Sequence, residues 1–271
     1  MRSRPSRPQE SWPEPSDLVF ATSAPPLVAV AHGSRDPRSA AVIGEAVANL
    51  RAASPDLDVR AAFLDLSAPR IDHVLTTLAR EGHHEVVVAP MLLGRAFHAR
   101  VDLPGIIAAV RSRHPRLTVH TADVLGPDPR LIAAVRDRVT DIGVAAGDPD
   151  VGVALVAVGS SDAAANDVTS RIVGTLRAGA GWHSATACFA TAASPSVSDA
   201  IASLRERGAR DVVVAPWFLA PGLLIDRVHD AAAAGRARVA PTIGAHPALT
   251  EVVLDRYRAA LERARHTRAA G

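Results

Sequence analysis

The chain has 271 residues, 48% of them hydrophobic and 3% aromatic, with 30 basic against 28 acidic residues for a formal charge of +2. That apolar content excludes wholesale disorder, the near-zero charge gives no electrostatic case for nucleic acid, and the length suits one large domain or two of about 125 residues. Every basic residue is arginine, which excludes a Schiff-base or P-loop lysine, and the single Cys188 excludes a disulfide framework or cysteine zinc cluster and suits a reducing cytoplasm.

Residues 1–26 hold six prolines among Ser, Glu and Arg. Arg2, Arg4 and Arg7 are not followed by an apolar core, so this stretch reads as a disordered leader and not as a signal peptide. Short apolar runs then alternate with longer amphipathic stretches. The pattern predicts strands at 27–31, 58–64, 85–90 and 117–121, and helices near 38–53, 69–81, 101–113 and 128–142. Val86-Val-Val is an unbroken apolar run, as expected for a central strand covered on both faces. Two Gly, a Pro and two Asp make 143–150 a linker. Further strands follow at about 152–158, 184–190, 211–216 and 237–240, with helices between them, up to a tail at 266–271. The longest uncharged apolar run, Val212 to Ile225, has 14 residues and contains Pro216 and Pro221, too short and too broken to span a membrane.

The chain is written twice. Leu155-Val-Ala-Val-Gly-Ser-Ser-Asp162 aligns with Ala29-Val-Ala-His-Gly-Ser-Arg-Asp36, an offset of 126 that also puts Phe189 on Phe63, Pro195 on Pro69 and Val212-Val-Val-Ala-Pro216 on Val86-Val-Val-Ala-Pro90. Later the offset falls to 118, where Ile243-Gly-Ala-His-Pro247 meets Leu125-Gly-Pro-Asp-Pro129. The expected fold is therefore α/β, with two tandem doubly wound parallel-sheet halves, 27–142 and 151–265.

Ligands of doubly wound sheets bind beyond the carboxyl ends of the strands. His32 ends the first predicted strand, Asp65 ends the second, and His98 lies in the loop after the third. With strand order 2-1-3-4 all three emerge at one edge, and two imidazoles with a carboxylate suit a borderline divalent metal. Asp102, four residues after His98 and close to a predicted helix start, suits the orientation of that imidazole. Each residue also has a structural reading: Asp36-Pro37 and Asp102 as helix caps, Gly33 and Ser34 as turn residues. His73, His83, His84, His114, His229 and His266 read as solvated surface, Cys188 as a small core residue, and Trp182-His183 has no assignment.

The strings Ala31-His-Gly-Ser-Arg-Asp-Pro37, Phe63-Leu-Asp-Leu-Ser-Ala-Pro69, Val87-Val-Ala-Pro-Met-Leu-Leu93 and His98 with Asp102-Leu-Pro104 resemble the sirohydrochlorin chelatases of the CbiX and SirB type, relatives of the class II chelatases. The likeness is to the long, fused form, whose two α/β halves face a central cleft. It implies a lyase-type chelatase that inserts Fe²⁺ or Co²⁺ into sirohydrochlorin, in sirohaem or cobalamin synthesis. Ni²⁺ is also admitted by the ligand types. The metal is a co-substrate and no cofactor is permanently bound.

His32 and His98 match the family's two metal-handling histidines, and Asp65 stands where the family commonly has Glu. Two pyrrole protons must leave as the metal enters, and imidazoles serve both as weak ligands and as bases. The substrate carries eight carboxylates, so Arg35, Arg95 and Arg100, with Ser34, are the expected substrate-binding residues. Positions matching His32, Asp65 and His98 in the second half are Val158, Thr191 and Leu224, which implies one active site, in the first half. The implied partner is the tetrapyrrole alone, with no nucleic acid and no membrane, for a cytoplasmic monomer. The alternatives are a metal or tetrapyrrole carrier without turnover, and a two-lobed small-ligand binding protein.

Overall fold

The computed structural model describes residues 24–94, 97–191 and 193–269, without the side chains of residues 97–101. In the first half β1 (Leu27–Ala31), β2 (Val59–Phe63), β3 (Glu85–Pro90) and β4 (Thr118–Thr121) alternate with α1 (Pro37–Ala53), α2 (Ile71–Arg80), α3 (Phe97–Arg113) and α4 (Pro129–Asp141). The second half repeats the scheme with β5 (Val151–Ala157), β6 (Ser184–Phe189), β7 (Asp211–Pro216) and β8 (Arg238–Val239). Its helices are α5 (Ala163–Ala178), α6 (Val197–Glu206), α7 (Leu223–Ala234) and α8 (Pro247–Ala269). The strands form two parallel sheets, in the orders β2-β1-β3-β4 and β6-β5-β7-β8, so the expected α/β class and strand order stand.

One expectation needs correction. The pattern placed a helix near 101–113 with Asp102 as its cap, but α3 begins at Phe97 and carries Asp102 and Pro104 inside it. His98 is therefore on the first turn of a helix, not in a loop, and Asp102 is an interior helical residue rather than a cap. Proline lacks the N–H that would bond the carbonyl four residues back, a loss of one bond that the rest of a 17-residue helix tolerates.

The two-residue alternation of a strand divides each sheet between two cores. Leu27, Ala29, Val87 and Ala89 face an inner core, whereas Val28, Val30, Val86 and Val88 face an outer one under α2 and α3. In the second half Val153, Leu155, Val213 and Ala215 join the same inner core, and Ala154, Val156, Val212 and Val214 pack under α6 and α7. The inner core is continuous between the halves. Trp182, unassigned from sequence, is buried in it and donates its indole N–H to the Ala145 carbonyl at 3.4 Å.

The inner helices are exchanged. α4 belongs to the first half by sequence, yet packs on β7 and α5; α8 belongs to the second, yet packs on β3, β4 and α1. Side chains hold each in place. Arg138 of α4 reaches the Ile243 carbonyl at 2.8 Å, and on α8 Arg256 reaches the Val124 carbonyl at 3.1 Å while Tyr257 donates to the Pro25 carbonyl at 2.7 Å. Asp128 sits at the crossing. It caps α4 by accepting from the Arg130 N–H at 3.0 Å and lies 3.3 Å from Arg256 of α8. Its repeat counterpart, His246, caps α8 by accepting the Ala248 N–H through Nδ1 at 3.2 Å.

Burial raises the pKa of the Asp128 carboxyl, but the Arg130 hydrogen bonds and the Arg130 and Arg256 charges outweigh it and hold the value below the ordinary one. A carboxyl whose pKa is lowered on folding stabilises the fold above its unfolded value and loses that contribution as pH falls through the folded one. Asp128→Ala is therefore expected to cost about 2 kcal/mol at neutral pH, from the lost cap and the unpaired guanidinium. The melting-temperature gap to the unsubstituted chain should hold from neutral pH down to about 4 and narrow as pH falls below the ordinary carboxyl value of 3.8. A gap of constant size would count against the ionised cap.

Candidate active site

His32 follows β1 directly. Its carbonyl accepts the Asp65 N–H at 3.0 Å, and the Ala31 carbonyl accepts the Leu64 N–H at 2.9 Å, so the ends of β1 and β2 run together past the sheet. On the other side of β1 the Met91 N–H donates to the Val30 carbonyl at 2.7 Å. The loop after Met91 leads to the first turn of α3, where His98 stands. The fold thus brings His32, Asp65 and the backbone of His98 to one edge of three adjacent strands. His32 and Asp65 are exposed there, as is Asp102 on α3.

Local sequence explains the shape of the His32 loop. Gly33 has φ +96°, a region L side chains rarely enter, and a Cβ there would land on the Asp65 carbonyl oxygen. Ser34 accepts the Asp36 N–H at 3.0 Å, and Asp36 caps α1 by accepting the Arg38 N–H at 2.9 Å, with Pro37 in the first helical turn. The cap reading of Asp36 is therefore correct. Hydrogen bonds from the Arg38 side chain and backbone hold the Asp36 carboxyl below the usual carboxylate range.

Three site features escaped the sequence reading. Ser67 donates to the Ser34 carbonyl at 2.9 Å and accepts the Ser34 N–H at 3.1 Å, a reciprocal clamp between the loops after β1 and β2. The repeat carried a signal for it, since Ser67 stands opposite Ala193 in the second half. Arg70 lies 3.3 Å from the Asp65 carboxylate. Arg38 reaches Asp226 of α7 at 2.6 Å, an ion pair between the halves for which no local pattern existed. Beyond it a cavity of about 430 Å³ opens between the halves, lined by Val42 and Glu45 of α1, Pro221, and Ile225 and His229 of α7.

Of the expected substrate-binding residues, Arg35 is exposed and Ser34 is part of the clamp. Arg95 lies outside the described residues, and the side chains of His98 and Arg100 lie outside the described part of α3. Asp58, Glu81 and His83 also gather at the opposite sheet edge. Arg60 engages both carboxylates, at 2.7 and 2.5 Å, so that cluster is an ion-pair network.

The second half keeps this backbone with other side chains on it. The Val158 carbonyl accepts the Thr191 N–H at 3.0 Å, Gly159 has φ +90°, and Asp162 caps α5 through the Ala164 N–H at 3.0 Å. Val158 and Thr191 take the places of His32 and Asp65, and Thr191 turns its hydroxyl to the Val158 carbonyl at 2.6 Å.

The family model described as CbiX matches residues 26–142 and, separately, residues 152–260. The chain belongs to the CbiX family. Both halves carry the CbiX pattern, in agreement with the repeat. Among similar proteins, a sirohydrochlorin ferrochelatase of Priestia megaterium is 28% identical over 204 residues, covering 74% of this chain and 75% of the relative. A sirohydrochlorin cobaltochelatase of the same organism is 24% identical over 246 residues, covering 86% and 79%. The structure of SirB from Bacillus subtilis with Fe³⁺ superposes with a TM-score of 0.76 at 25% identity, over 86% of this chain and 93% of SirB. Among the described residues no helix is long and apolar enough to cross a membrane.

Proposed function

We propose that this CbiX-family chain is a sirohydrochlorin chelatase, which inserts a divalent metal ion, Fe²⁺ or Co²⁺, into sirohydrochlorin and releases two protons from the pyrrole nitrogens. The observation that carries the reading is the convergence of His32 and Asp65 on the adjacent ends of β1 and β2. It occurs in a chain whose relatives bear the names of sirohydrochlorin ferrochelatases and cobaltochelatases. The metal is a substrate, not a resident cofactor.

In this reading His32 and His98 receive the ion and accept the departing protons, because imidazole is a base of near-neutral pKa and a ligand weak enough to let go. Asp65 supplies a carboxylate beside them, and Asp102 orients His98 one helical turn away. Arg35, Arg95 and Arg100, with Ser34, take the rim carboxylates of the tetrapyrrole, whose geometry a guanidinium fork matches. The first half, 27–142, carries the reaction, and the second, 151–265, joined through 143–150, forms the facing wall. The working unit is a single cytoplasmic chain.

Purified protein with sirohydrochlorin under anaerobic conditions, followed by absorbance with Fe²⁺, Co²⁺ or Ni²⁺ in turn, tests the proposal. Catalytic turnover with at least one of these metals is expected. Stoichiometric binding without acceleration over the uncatalysed rate would assign the chain to a carrier instead.

A further inference from the structure

Among the described residues, the large hydrophobic side chains left exposed are Leu66, Val158 and Leu223, at 49%, 48% and 63% of full exposure. Leu66 and Val158 follow the carboxyl ends of β2 and β5, and Leu223 starts the helix that follows β7. Leu66 comes directly after Asp65, Val158 occupies the position of His32 in the second half, and Leu223 opens α7.

Leu66 is also held in an unfavourable backbone conformation. Its φ is +59°, and the Ser67 N–H donates to the Asp65 carbonyl at 2.7 Å, closing a γ-turn around it of the rare, strained hand. The turn is fixed from both sides, by the Ser67–Ser34 clamp and by the space that Gly33 leaves for the Asp65 carbonyl. An apolar side chain is thus presented to solvent by a rigid turn that would relax more easily with glycine or asparagine in its place. The Ser34 hydroxyl lies 3.9 Å from where a Cβ of Gly222 would stand, so the clamp meets the start of α7 from the other half.

We propose that Leu66, Val158 and Leu223 form an apolar seat for the flat conjugated ring of the tetrapyrrole, an inference that rests on the chelatase reading. The ligand it fits is apolar on its faces and anionic at its rim. Arg35, exposed on the loop after β1, suits the anionic rim, whereas the Arg70 guanidinium is held by Asp65 at 3.3 Å and Asp72 at 3.6 Å. The second half, which lacks the reactive groups, contributes its share of the seat through Val158 and Leu223. These are positioning residues, and they set how tightly the ring is held rather than how fast protons leave it.

The test compares Leu66→Asn, which tolerates the left-handed backbone, Val158→Thr, which keeps the shape, Leu223→Ser, and the triple variant. Sirohydrochlorin is titrated without metal by absorbance, and steady-state constants are measured for both substrates. The triple variant is expected to raise Kd and KM for sirohydrochlorin by about 10-fold or more. KM for the metal and kcat should stay within about twofold, and the melting temperature should not fall. An unchanged KM for sirohydrochlorin with an active parent protein would overturn the seat while leaving the chelatase reading intact. Unchanged KM together with loss of a dimer on sedimentation would assign the patch to a second copy of the chain. A parent protein that neither binds nor metallates sirohydrochlorin overturns the chelatase reading and removes the seat's occupant with it.

Discussion

Replacing His32 by alanine is expected to lower the rate of metal insertion by roughly 10²–10⁴-fold, the range contributed by a positioned acid–base side chain. His32 is exposed, and its carbonyl, which ties β1 to β2 through the Asp65 N–H, survives the substitution. The anaerobic absorbance assay reads the rate, and circular dichroism with a melting curve reads the fold. A rate within a fewfold of the parent, with the fold intact, would remove His32 from the reaction. The companion substitution His98→Ala separates two roles. If both imidazoles act on one metal ion and one ring, the double variant should lose little beyond the worse single one, as groups acting as a unit do.

Replacing Gly33 by alanine is expected to cost about 3 kcal/mol of stability, a fall of roughly 6–9 °C in melting temperature. Two causes combine: the φ of +96° excludes a side chain, and the new Cβ would land on the Asp65 carbonyl oxygen. That oxygen cannot step aside cheaply, because it closes the γ-turn at Leu66. Activity should fall together with stability, since Asp65 moves with its own carbonyl. The repeat supplies the control. Gly159 has φ +90°, but a Cβ there meets Phe189 Cβ at 3.0 Å, Thr191 Oγ1 at 3.0 Å and Ala193 Cβ at 3.2 Å, tight contacts in place of the 1.7 Å overlap with the Asp65 oxygen at Gly33. Gly159→Ala should therefore cost less. Equal melting temperatures for the two variants would show that the clash with Asp65 carries no weight.

The sheet order and the convergence of His32 and Asp65 were legible in the sequence because both depend on local patterns that occur twice. Val86-Val-Val announces a covered strand, and the offset of 126 fixes its partner at Val212-Val-Val. The start of α3 was not legible. Pro104 is a strong local signal for a helix opening, and the roughly two turns before it hold by backbone bonding that the apolar periodicity of Leu103, Ile107 and Val110 does not mark. The clamp of Ser34 by Ser67 and the reach of Arg38 to Asp226 were hidden for another reason. They join residues 33 and 188 positions apart, and nothing in a polar side chain's neighbours in sequence says which distant partner it will meet. The side of the sheet on which each half's last helix would lie was equally hidden, since α4 and α8 are amphipathic whichever sheet they cover.

That last choice governs how the site is assembled. Because α4 roofs one sheet and α8 the other, each half completes its fold only with a helix that the other half supplies. Had the halves been separate molecules, that step would require an encounter, and the fraction of complete sites would fall on dilution. Here the two helices are delivered along one covalent chain, at an effective local concentration set by its connections. The carboxyl edge of the first sheet, where His32 and Asp65 stand, is therefore covered at any protein concentration, and the half with Val158 and Thr191 in their places serves as the donor of the missing layer.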